Sequence, residues 1–218
     1  MSEFKLTPTL VSRVIATVDA GLSRGLGNPV PGQMCVEAAV CYALGMKHSD
    51  EPTCVNSVIR SFKIRLNDSS WSSNDARAKG MRRLAVLQLG TKEGFDEVHF
   101  SKLLTLRTIQ ILLPRVLSLA GLHAHAKACE NVTTLEDARA AAEAARAAAA
   151  AARVSEAARA AAAAAYAADA AAAAAAYTAA DAAARDEILT LSAKIAEDIL
   201  IEMDVPAVAF LSMLETRP

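Results

Sequence analysis

Residues 138–184 read "ARAAAEAARAAAAAARVSEAARAAAAAAYAADAAAAAAAYTAADAAA", with 34 alanines in 47 residues and neither glycine nor proline. Alanine has the highest intrinsic helix propensity, so the tract reads as helix. A single helix from Thr134 to Met203 would be about 100 Å long at 1.5 Å per residue, improbable in a compact chain. Ser155 follows the β-branched Val154, and Thr178 precedes Asp181 at capping-box spacing, so both sites invite a break. Thr134 with Asp137 starts the series in the same way. The expected helices are 134–153, 155–176 and 178–203, or a hairpin where one break is bridged. Large side chains hold helix axes roughly 8–10 Å apart. Bare methyl faces permit approach at the short end of that range and dispersion contact between backbones. The expectation is close packing within the chain and between copies of it.

Outside the tract the same helical period recurs. "TPTLVSRVIATVDAGLSRG" has Thr7 as N-cap, Pro8 at the first helical position and a stripe of Leu10, Val14, Val18 and Leu22. "QMCVEAAVCYALG" is a short buried helix stopped by Gly45. Asp50 or Ser49 is the expected cap of "PTCVNSVIRSFKIRLN", whose apolar face is Val55, Val58, Ile59, Phe62 and Leu66. Ser72 with Asp75 is a capping-box pattern for the next helix, which runs to about Leu89. A strongly apolar helix is expected from about Ser101 to Ala120, kinked by Pro114. A short helix follows Pro206. No stretch alternates at period 2 for long enough to form a strand. The fold class is therefore all-α: a helical bundle with a closely packed alanine-rich section. The domain reading is a mixed helical domain over 1–130 and a long-helix region over 131–218.

Composition narrows the function. The formal net charge is −1, which speaks against a general polyanion binder. Residues 1–130 carry about +5 and residues 131–218 about −6, an asymmetry that favours docking of one half on the other. The tract is too weakly apolar to span a membrane. "MSEFKLTPTL" has no basic and apolar leader pattern. The four cysteines are too few for a disulfide framework in a chain of 218 residues. A cytoplasmic protein with reduced thiols and no membrane partner is expected.

Three constellations could carry chemistry. Cys35, Cys41, His48 and Cys54 form a Cys/His set able to ligate zinc, but their spacings match no tight knuckle. Small buried thiols are the competing reading. Cys35 also sits near a helix N-terminus, where the dipole would lower its pKa. Gln33 could then donate to an oxyanion, with His48, His99, His123 or His125 as base, giving a cysteine hydrolase. The third is the basic segment Arg60, Lys63, Arg65, Arg77, Lys79, Arg82 and Arg83, with the sole tryptophan, Trp71, in its middle. Such a set can grip phosphates and stack a base; alternatively it is a basic docking face with Trp71 as a core plug. In the tract, Arg139, Arg146 and Arg153 repeat every seven residues, and Tyr166 and Tyr177 lie close to three turns apart. They form either a solvated stripe or a ladder for an anionic ligand. No Walker A or dinucleotide fingerprint occurs, and no cofactor is implied.

"GQMCVEAAVCYALGMKHSDEPTCV", "RLNDSSWSSNDARAKGMRRLAVLQLGT" and the alanine tract together resemble a group of alanine-rich helical proteins encoded by bacteriophages and bacteria, with no activity assigned to it. The resemblance implies a phage or bacterial cytoplasm and a role in the contest between phage and host. The resulting expectation is a non-enzymatic, self-associating helical protein. It would sequester an anionic small molecule or nucleotide, or block a host or phage protein. The alternatives are the Cys35 hydrolase and a nucleic-acid-associated structural protein.

Overall fold

Thr7 opens the first helix, α1 (Pro8–Asp19): its hydroxyl accepts from the Leu10 N–H at 3.3 Å and Pro8 needs no partner for a missing N–H. The computed structural model describes residues 4–119, 121–134, 136–138, 140–141, 143–144 and 182–215. The expected breaks at 154–155 and 176–178 lie outside them. The helices that follow are α2 (Val36–Ala43), α3 (Ser57–Asn67), α4 (Asn74–Leu87) and α5 (Glu97–Arg107). A π-helical turn (Thr108–Leu112) leads into α6 (Leu113–Leu119) and α7 (His123–Glu130). The chain closes with α8 (Ala182–Glu202), a 3₁₀ turn (Pro206–Phe210) and α9 (Ser212–Glu215). The fold is all-α; among the described residues β pairing amounts to an isolated bridge between Gly27 and Met34.

The described residues divide into two compact units. One takes those within Met1–Asp68, Ser73–Glu97 and Ala196–Pro218; the other takes those within Ser69–Ser72 and Val98–Ile195. The boundary drawn at residue 130 from the sequence falls inside the second unit.

In the first unit, α1 packs on α2 and α4, and α2 on α3 and α4. The buried side of α1 is Val11, Val14, Thr17 and Val18. Leu10, expected on the buried stripe, lies half-exposed, and Val11 takes its place. α2 ends in a Schellman motif: Gly45 N–H donates to Tyr42 O and Met46 N–H to Cys41 O, with Gly45 at φ 72°.

α3 begins later than its sequence suggests. Asn56, not Asp50 or Ser49, is its N-cap, and accepts from the Val58 N–H at 2.9 Å. The reason is non-local. The Cys54 carbonyl accepts from the N–H groups of Gly90 and Lys92, and the Asn56 N–H donates to Thr91 Oγ1. These bonds hold 54–56 in a non-helical path. α4 is likewise capped one residue later, by Ser73, which accepts from the Ala76 N–H at 3.0 Å.

The helix around Pro114, in the second unit from Val98 onward, starts at Glu97 and is interrupted before the proline rather than at it. Proline has no N–H, and its ring crowds the carbonyl four residues back, that of Gln110. The wider π-turn over Thr108–Leu112 accommodates that crowding. The Gln110 amide donates to Val132 O at 2.6 Å, tying the turn to the end of α7. α6, α7 and the π-turn pack on one another around Leu113, Val116, Leu117, Ala126 and Cys129. The expected cap at Thr134 forms: its hydroxyl accepts from the Asp137 N–H at 3.1 Å, and Asp137 accepts from the Thr134 N–H. The Thr134 hydroxyl also donates to the Asp137 carboxylate at 2.8 Å, and this bond above all, with those from Thr133 and the backbone, holds the carboxyl below its ordinary pKa. Trp71, in the Ser69–Ser72 segment of this unit, is buried. Its neighbour Ser72 donates from N–H and hydroxyl to the two carboxylate oxygens of Asp186 on α8.

Candidate functional site

Cys35 is the N-cap of α2, its sulfur accepting from the Ala38 N–H at 3.4 Å. A thiol at a helix N-terminus is activated only where its anion is also solvated. Here the residue is 5% exposed, and burial outweighs the backbone contacts and pushes its pKa up. Of the four histidines considered as base, His48 is engaged elsewhere: its Nε2 lies 3.0 Å from the Gly27 carbonyl. Gln33 Oε1 accepts from the Asn28 amide. Among the described residues the hydrogen bonds of the Cys35 sulfur come from main chain, not from an imidazole.

All four thiols are free and buried. Burial raises Cys41 to about 12 and Cys129 to about 11, and raises Cys54 too. Among the described residues, no group of three or more His, Cys, Asp or Glu side chains could hold a metal ion, the Cys35, Cys41, His48 and Cys54 set included.

A small cleft of about 30 Å³ adjoins Cys35, lined also by Gly25, Leu26, Val36, Asp50, Ile64, Asn67 and Asp68. That volume suits one or two waters. Its walls are braced by the buried Asn67. The Asn67 side-chain oxygen accepts from the Val36 N–H at 3.1 Å, and its amide donates to Ser23 O and Asp68 Oδ1. Asp68 Oδ1 also accepts from the Gly25 N–H at 2.8 Å. These contacts fix the 21–35 loop to the end of α3.

The basic segment is largely engaged within the first unit. Arg60 donates to the Asp50 carbonyl at 2.6 Å and pairs with Asp50 and Glu51. Arg77 is 6% exposed and donates to Asn67 O at 2.7 Å, Leu22 O at 3.2 Å and Asn74 Oδ1 at 2.6 Å. Arg82 forms a bidentate pair with Asp19 and donates to Leu214 O. Arg83 lies 3.5 Å from Glu197. Arg65 and Lys79 are exposed. Trp71 belongs to the other unit. Arg139, Arg146, Arg153, Tyr166 and Tyr177 lie outside the described residues.

Lys63 has the most consequential position. Lys63 and Glu37 are each 0% exposed, with Nζ 3.3 Å from Oε1. Desolvation pushes the Glu37 pKa up, against the pull of Lys63 and Gln88, and pushes the Lys63 pKa down. Sequence reading missed Glu37 altogether. The available signal was a lone carboxylate inside "MCVEAAVC", flanked by residues that must be buried.

Comparison of the chain with known protein families, with curated proteins and with solved structures gave no match. Among the described residues, no helix is long and apolar enough to cross a membrane.

Proposed function

We propose that this chain is a non-enzymatic helical binding protein that acts through a surface and associates with its own copies. The observation that supports the reading best is the 21–35 loop. It is held by the Gly27–Met34 bridge, the Gly25–Asp68 bond and the His48–Gly27 contact. From that braced backbone Leu26 and Val30 project, 44% and 46% exposed. Between Gly21 and Met34 the sole charged side chain is Arg24. Apolar, charge-poor and preorganised is the composition of an interface core, because little ordering entropy is lost on docking. The protonated thiols and internally engaged arginines support a surface role over a reacting group.

Size-exclusion chromatography with light scattering tests this reading. The expected result is a species larger than the monomer at micromolar concentration, converted to monomer by Leu26→Asp with Val30→Asp at unchanged helicity. A parent protein that stays monomeric at those concentrations refutes self-association. The resemblance to phage and bacterial proteins makes a host or phage protein the natural second partner. An anionic ligand would meet Arg65 and Lys79, the exposed cations of the basic segment. A titration with linear and cyclic nucleotides tests that part, and binding insensitive to Lys79→Ala removes it.

A further inference from the structure

Three helices contribute to a buried polar cluster in the interior of the first unit. Glu37 is the second residue of α2, Lys63 lies in the middle of α3, and Gln88 caps α4. All three are 0% exposed. Their bonding is sparse. The carboxylate oxygens, the ammonium and Gln88 Oε1 lack hydrogen bonds of ordinary geometry, so one ionic contact at 3.3 Å is the main return for burying two charges. Desolvating two ions costs more than one such contact recovers, and apolar residues of the same volume commonly serve stability as well or better. Net stabilisation is therefore a poor account of the pair. Its physical effect is on alternatives: any displacement of α2 against α3 that parts the two groups leaves a buried charge without its counterion.

What α2 carries makes that effect specific. Cys35 caps its start and Cys41 lies on its buried side, and Cys54 is buried in the segment leading to α3. We propose that the Glu37–Lys63 pair is an orientation lock on α2 that keeps these three thiols sealed, rather than a source of net stability.

The test is thiol labelling of the full chain under native conditions, read residue by residue by mass spectrometry, beside a thermal melt. The double variant Glu37→Leu with Lys63→Met removes both charges and keeps the volume. The expected result is a melting midpoint at or above that of the parent. Labelling of Cys35, Cys41 and Cys54 should be at least tenfold faster, while Cys129, in the other unit, labels at the parental rate. Unchanged labelling of the three thiols overturns the proposal. So does a lowered midpoint with all four thiols faster together, or a double variant without a cooperative transition, since either makes the pair a plain stabiliser. Gln88→Leu gives a second reading in a chain that keeps both charges. It should leave all three labelling rates within twofold of the parent, and a tenfold rise there would shift the lock from the ion pair to the amide and overturn the assignment.

Discussion

Replacing Arg77 with methionine separates a structural cation from a ligand-binding one. Methionine keeps much of the apolar stem and removes the guanidinium. The stem lies on the buried side of α4, and the head donates to Asn67 O, the last residue of α3, and to Leu22 O just beyond α1. At Asn67 O the cation also meets the negative pole of α3. After substitution both carbonyls keep their burial and lose their donor, whereas Asn74 Oδ1, at the start of α4, is better placed to reach water. An orphaned buried acceptor costs about 1–3 kcal/mol, so the two give about 2–6 kcal/mol. Even the low end lowers the melting midpoint by roughly 4–8 °C for a chain of this length. Urea unfolding followed by circular dichroism measures the loss. Arg77→Lys should recover little, because a single ammonium cannot reproduce the fork that spans the acceptors. An Arg77→Met protein within about 0.5 kcal/mol of the parent, the range of ordinary surface changes, would refute the capping role and return Arg77 to the candidates for a ligand site.

Gly27 and Gly25 both have positive φ, at 70° and 66°, but differ in their surroundings. A Cβ on Gly27 would lie 1.9 Å from Gln33 O, whereas one on Gly25 meets nothing within 4 Å. Gly25→Ala should cost only the left-handed penalty of about 1–2 kcal/mol, and Gly27→Ala distinctly more; equal midpoints in urea would contradict the packing of the loop. At the start of α4, Ser73→Ala should cost about 1 kcal/mol as a lost N-cap; a Ser73→Ala protein as stable as the parent in urea would contradict that cap. Alkaline stability tests the sealed thiols. Cys41 and Cys129 have folded-state pKa values near 12 and 11 against 9.0 for the unfolded chain. Above pH 9 the unfolded state therefore loses protons that the folded state retains. Stability falls as pH rises through that window, by up to about 1.4 kcal/mol per pH unit for each thiol. Thermal melts from pH 8 to 10.5 should show a shallower decline in Cys41→Ala, and an unaltered slope would argue against a protonated, buried Cys41.

Features set by a few neighbouring residues were legible in the sequence. Thr7 with Pro8, Gly45 after α2, and Thr134 with Asp137 all act where their spacing placed them, because a cap or a left-handed stop needs only local backbone. The start of α3 was not legible. Asp50 has the chemistry of a cap, but it binds Arg60, and the backbone at 54–56 bonds to residues 90–92 far along the chain. Nothing in seven residues of sequence announces that competition. The alanine tract, which dominated the reading of the fold, contributes no described site residue, so the first unit has to be argued from its own side chains.

The basic segment shows where charge counting loses information that periodicity keeps. Lys63 shares the face of Ile59, Phe62 and Leu66, at offsets of four, one and three residues. Arg77 stands four residues before Met81 and seven before Leu84 on the buried side of α4, and Gln88 continues the same row. A charge on the apolar stripe of an amphipathic helix is carried into the interior with its neighbours, since withdrawing it would expose the whole stripe. It then needs a buried partner, which the sequence supplies in Glu37 for Lys63 and in the Asn67 and Leu22 carbonyls for Arg77. Lys79 is two residues beyond Arg77 and falls on the opposite face of the same helix, where it is exposed. Phase on the helix, not local density of positive charge, therefore separates a cation that builds this fold from one that can meet a ligand.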